Sequence, residues 1–165
     1  KKKLRINDLD INNNHLSTQV ILPLYGSNKT VYSKSGLNQW NAGGRMRHPN
    51  EIYIPIPAKI HRLFPNFFPS RDKLFSLTFP DGDIVKASVC QQGSKALMTK
   101  SNKKLGKLIL RDGLRLKENE LATFEKLQFL GVDSVRIQKI DNLHFELDFS
   151  RCGSYELFLL NHSSI

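Results

Sequence analysis

The sequence predicts a mainly β fold: an antiparallel, barrel-like sheet of six or seven short strands with two short helices added. Three observations carry this expectation. Short β-branched and apolar runs recur along the chain, each bounded by Pro, Gly, Asn or Asp. The two segments with helical spacing interrupt the strands instead of alternating with them, which argues against a parallel doubly wound sheet. Two long stretches rich in Gly, Ser, Asn and Lys hold too few apolar residues to be core, so a sheet must carry them as loops.

The elements follow in order. Residues 1–15 open with Lys1, Lys2 and Lys3 and contain Asn12, Asn13 and Asn14 without periodicity; they read as a linker remnant, leaving 16–165 as the domain. Residues 17–25 (STQVILPLY) predict a strand that Pro23 confines to an edge or bulge. Residues 26–50 predict a long shaped loop with room for a short hairpin. Residues 51–56 (EIYIPI) alternate as a strand with an edge-type Pro55, and Pro57 can open a helix over 57–64 that Pro65 ends. Residues 74–79 and 84–90 form a hairpin around Pro80, Asp81, Gly82 and Asp83. Residues 91–107 predict a second loop, built as two short strands joined at Ser101 and Asn102. A brief strand follows over 107–110. Residues 118–130 predict a helix stopped by Gly131, with Thr123 able to cap a shorter version. Strands are expected over 132–140 and 143–149, and a last one over 154–160 (SYELFLL).

The charge narrows the partner. The formal net charge is +10, and it is unevenly spread. No acidic residue lies between Asp10 and Glu51, a stretch holding Lys29, Lys34, Arg45 and Arg47. None lies between Asp83 and Asp112, where Lys86, Lys95, Lys100, Lys103, Lys104, Lys107 and Arg111 occur. A solvated face mixes signs; two acid-free windows suit a polyanion. No apolar run approaches the ~20 residues that cross a bilayer, and no stretch of these residues reads as a signal peptide, so the expected location is the cytoplasm, without membrane contact. Cys90 and Cys152 read as buried free thiols.

Catalytic patterns fail one by one. Asp81, Asp83 and Lys86 are of the residue types that metal-dependent nucleases use, but the Asp-Ile-Val-Lys spacing turns Lys86 to the wrong strand face, and a hairpin turn explains them. His15, His48, His61, His144 and His162 stand singly, and none has Lys two residues on. No metal-ligand pairs and no glycine-rich phosphate loop are present, so no metal, cofactor or catalytic residue is expected.

The loops instead carry groups that read base edges: Arg and Lys suit guanine, Asn and Gln suit adenine, and Ser, Lys and backbone amides hold phosphate. The first loop offers Ser33, Lys34, Ser35, Gly36, Asn38, Gln39, Trp40, Asn41, Gly44, Arg45 and Arg47. The second offers Gln91, Gln92, Ser94, Lys95, Lys100, Ser101, Asn102, Lys103 and Lys104. Arg45, Asn38, Gln39, Gln91, Gln92 and Lys95 are expected to include base contacts; Lys100, Lys103 and Lys104 are expected to hold backbone. Trp40 either stacks on nucleic acid or pins its loop to the body, the second being favoured. Single-strand readers expose several aromatics on a sheet; these loops have few, which tilts the reading to double-stranded DNA over RNA. A stand-alone regulator and a non-specific basic nucleic-acid binder remain alternatives.

Residues 33–45 (SKSGLNQWNAGGR) followed by 47–57 (RHPNEIYIPIP) resemble a known domain. Residues 79–82 (FPDG), 91–98 (QQGSKALM) and 143–149 (LHFELDF) are similar to further parts of it. It is the B3-like DNA-recognition domain of phospholipase-D-type bacterial restriction endonucleases, and the resemblance spans roughly residues 20–150. It implies a seven-stranded open pseudobarrel with two short helices, related to plant B3 transcription factors. Two arms, matching 33–47 and 91–104 here, would grip the major groove. The nuclease motif of such enzymes is missing, so the resemblance implies a non-catalytic recognition module whose nuclease domain lies elsewhere in the same parent chain; the isolated domain is expected to be monomeric.

Overall fold

The structure, a computed structural model, describes residues 18–162. The expected linker over 1–15 and the strand start at Ser17 lie outside the described residues. Seven strands form one sheet: β1 (Gln19–Pro23), β2 (Ile54–Pro55), β3 (Phe75–Thr78), β4 (Ile84–Cys90), β5 (Ala96–Thr99), β6 (Val132–Asp141) and β7 (His144–Arg151). Their order is β1-β6-β7-β3-β4-β5-β2. Neighbours run antiparallel except β3 and β7, which are parallel. The edge strands β1 and β2 approach each other, so the sheet curls into a nearly closed barrel. The expected mainly β, seven-stranded pseudobarrel is the observed fold. Both edges end in proline, Pro23 and Pro55, as the missing N–H requires.

Alternation fills the interior. Phe75 and Leu77 of β3, Val85, Ala87 and Val89 of β4, Val135 and Ile137 of β6, and Phe145 and Leu147 of β7 are all buried. The parallel junction is packed with rings: Phe75 and Phe145 lie 4.8 Å apart, with Phe68 6.0 Å from Phe145 and Phe67 4.9 Å from Phe68. Each fully buried Phe or Leu contributes about 1.5–3 kcal/mol. The hairpin expected over 74–90 is present, its turn fixed by Gly82 at φ 90° and by Asp81 Oδ1 accepting from the Asp83 amide at 2.9 Å. Thus Asp81 and Asp83 serve the turn, while Lys86 Nζ reaches Ser76 Oγ at 3.1 Å.

Among the described residues the helices are α1 (Ala58–Leu63), α2 (Asn102–Gly106), α3 (Phe124–Leu130) and α4 (Ser154–His162), and α2 runs on as a wide π-type turn over Lys107–Gly113. α1 matches expectation, with Pro57 as its cap. α3 is the shorter version: Thr123 Oγ1 accepts from the Lys126 amide at 3.2 Å, and Gly131 ends the helix at φ 80°. Four expectations are corrected. Residues 107–110 are helical, because Leu108, Ile109 and Leu110 all turn into the core on one winding. Residues 154–160 form α4, which seals the barrel by setting Phe158 against Phe64 at 5.4 Å. No hairpin forms in the first loop; a single bridge from Gly26 to Thr30 and a 3-10 turn over Gly36–Asn41 take its place. Cys90 and Cys152 are free thiols but half-buried, not buried.

Candidate nucleic-acid interface

The first loop is held by side chains that the sequence had offered as readers. Asn38 is 0% exposed. Its Nδ2 donates to the carbonyls of Tyr32 (3.0 Å) and Ala122 (2.9 Å), and its Oδ1 accepts from the Ala122 amide (2.9 Å). The amide group mimics a strand neighbour and ties the loop to the segment before α3, so Asn38 is corrected from base reader to tether. Trp40 packs half-buried against the core, which is the pinning role. Gln39 is also half-buried. Gly36 is buried at φ 57°, and Asn41 Nδ2 bonds the Ser33 carbonyl at 2.9 Å, closing the turn. Ser33, Lys34, Gly44 and Arg45 are exposed and Ser35 is half-buried.

The two arginines share one buried acid. Glu51 is 3% exposed. Its Oε2 accepts from Arg45 Nη2 at 2.9 Å and from Arg47 Nη1 at 2.5 Å. Arg47 also donates to the carbonyls of Ala42 and Gly43, and only 15% of its side chain is exposed, so it is corrected from DNA contact to clamp. Arg45 stays 54% exposed and can face both ways. Burial alone would raise the Glu51 carboxyl; the hydrogen bonds from Arg47 and Arg45, with their charges, overcome this and hold it below the ordinary 4.5.

The second loop splits in two, because Ala96–Thr99 is a strand between β4 and β2. Gln91, Gln92, Ser94 and Lys95 stand at one end of β5; Lys100, Ser101, Lys103 and Lys104 stand at the other, about 13 Å away for four residues. The expected pair of strands joined at Ser101 and Asn102 is therefore replaced by β5 and α2. Asn102 opens α2. The first end is tightly wound, with positive φ at Gln91 (69°), Gly93 (77°) and Ser94 (52°). It is braced by His61 Nε2 donating to the Ser94 carbonyl at 2.8 Å and the Ile56 amide donating to the Lys95 carbonyl at 2.8 Å.

The first loop bridges both ends. Its early part, with Tyr32, Ser35 and Gly36, lines one open cleft of about 590 Å³ together with Lys95. Its late part lies on α2 so closely that a Cβ on Gly106 would collide with the Asn50 carbonyl. Arg111 locks this contact, donating to Asn50 Oδ1 (3.0 Å) and to the carbonyls of Pro49, Leu116 and Lys117. Some basic residues do pair with acids, as Lys29 does with Glu156 and Arg136 with Asp148. Among the described residues, Lys34, Lys95, Lys100, Lys103 and Lys104 form no ion pair.

A family profile described as the NgoFVII C-terminal B3-like DNA-binding domain matches residues 11–141. The chain belongs to this family. Membership makes DNA the ligand class of this B3-like domain, in keeping with the unpaired lysines. A solved structure of a hypothetical Arabidopsis thaliana protein is similar at 12% identity and a TM-score of 0.39, covering 82% of this chain and 91% of that one. No curated protein is matched by the sequence. No helix among the described residues is long and apolar enough to cross a membrane.

Two residues of the B3-like domain escaped sequence reasoning. Glu51 closed the first acid-free window and looked like its boundary, yet it turns back to hold the arginines. Met46 lies between those arginines at 95% exposure. An apolar residue in an otherwise polar loop tip was the available signal.

Proposed function

We propose that this domain reads a short double-stranded DNA sequence through the major groove, as the target-recognition module of a restriction endonuclease. Cutting belongs to a separate nuclease domain of the parent chain, and the module itself is a cytoplasmic monomer. The observation that carries this is the first loop, braced at both ends of β5 and flanked by lysines without acidic partners. Lys34, Lys100, Lys103 and Lys104 hold phosphates as point charges. Gln39, Arg45, Gln91, Gln92 and Lys95 supply the base contacts, with Ser33, Ser35, Asn41, Ser94 and Ser101 filling in around them. Positive φ at Gln91 and Ser94 costs free energy and fits a loop shaped for contact, not for stability alone.

Binding-site selection from a random duplex library tests the reading. One short sequence should emerge and bind at least 1,000-fold tighter than random DNA, about the lower bound for specific readers. Equal affinity for selected and random duplexes would leave a non-specific basic coat, and tighter binding to single-stranded RNA would point to the other ligand.

A further inference from the structure

We propose that Met46 reads a C5-methyl group on a pyrimidine in the major groove, and that the Arg45/Glu51/Arg47 clamp aims it. This rests on the DNA-reading function proposed above. One exposed apolar side chain on a soluble domain means little by itself. What sets Met46 apart is how its neighbours are fixed. Arg45 and Arg47 both reach the same oxygen of Glu51, which is buried. With both arginines drawn to that buried carboxylate, the side chain between them takes no part in the clamp. Met46 is accordingly 95% exposed, more than any other large apolar side chain among the described residues.

The surroundings leave the tip open. Gly44 sits at φ 93°, and a Cβ there would meet nothing within 4 Å. The loop tip therefore presents a thioether next in sequence to the half-exposed Arg45. Phosphate draws the half-exposed Arg45 guanidinium, but a thioether gains nothing from phosphate or water. The apolar feature of base edges in the major groove is the thymine methyl; 5-methylcytosine carries the same group at the same ring position. Methionine, unbranched and polarizable, adapts to such a small target.

The test uses the selected duplex. Each thymine is replaced singly by deoxyuridine, which removes only the methyl, and each cytosine by 5-methylcytosine, which adds only the methyl. Wild type should lose about fourfold in affinity at one thymine, or gain about fourfold at one cytosine, the value of one buried carbon group; the two arms separate the sources. Met46→Ala should abolish the difference at that position, and Met46→Leu should keep it. Glu51→Gln, checked for folding by thermal melting, should weaken it at the same position. Indifference of wild type to every methyl, or unchanged discrimination by Met46→Ala, would overturn the proposal. Should selection yield no preferred sequence, the DNA-reading function falls and this proposal with it; a preferred sequence without methyl dependence removes Met46 alone.

Discussion

Replacing Asn38 by alanine separates a tether from a reader. The side chain is fully buried and makes three hydrogen bonds, two of them to Ala122, which is itself 1% exposed. Truncation strands the buried Ala122 amide and carbonyl and releases the part-buried Tyr32 carbonyl. A buried group left unsatisfied costs about 1–3 kcal/mol, and the gap left by the side chain adds to that. The expected loss is about 3–4 kcal/mol. In urea, with a slope near 2 kcal/mol/M, the unfolding midpoint should drop by roughly 1.5–2 M with the slope unchanged. Binding by the folded variant should weaken toward selected and random duplexes alike, because the whole loop loosens. A variant within about 0.5 kcal/mol of wild type that lost preference at one base pair would refute this account and restore Asn38 as a base reader.

Other outcomes follow from the same geometry. With Lys34, Lys100, Lys103 and Lys104 serving as phosphate contacts, log K against log salt concentration should fall with a slope of about −3.6; a flat titration contradicts the phosphate contacts. Gly106→Ala places a Cβ against the Asn50 backbone, which no rotamer change can relieve, so calorimetry should show a melting temperature lower by roughly 10 °C. The Glu51 carboxyl is held below its ordinary 4.5 in the fold. Its contribution to stability is therefore present above that pH and lost as pH falls through the lower folded value; Glu51→Gln should flatten this part of an acid denaturation curve. The purified domain should leave supercoiled DNA uncut with and without Mg²⁺, and nicking that tracks the protein through purification would contradict the non-catalytic reading.

The legible parts of the fold were those set by neighbours in sequence. The β3/β4 and β6/β7 pairs follow from alternation and turn residues, and the ends of α3 follow from Thr123 and Gly131. The misread parts were set by distant contacts. Residues 154–160 are apolar on nearly all sides, so their pattern has no helical period, and only the space over β1 and Phe64 makes them a helix. Residues 107–110 coil because α2 is pressed onto Asn50 and Arg111 gathers acceptors from both sides of the turn. The site divides in the same way. Its loops were visible as acid-free windows, yet Asn38 and Arg47 carry reader chemistry and spend it on the protein's own backbone and Glu51. Local sequence shows that a side chain can bind, not which partner reaches it first.

The pairing of β1 with β6 sets the timing of assembly. Gln19 lies opposite Gln138, so the first strand must wait about 120 residues for its partner, on the order of ten seconds of ribosomal synthesis. Such distant pairings also slow folding after release. During that interval the arm-forming segments have already left the ribosome, but Ala122, to which Asn38 is tied, arrives long after residue 38. The nascent chain therefore displays a basic, unshaped segment before it holds a reading surface, and its shape is acquired only when the barrel closes.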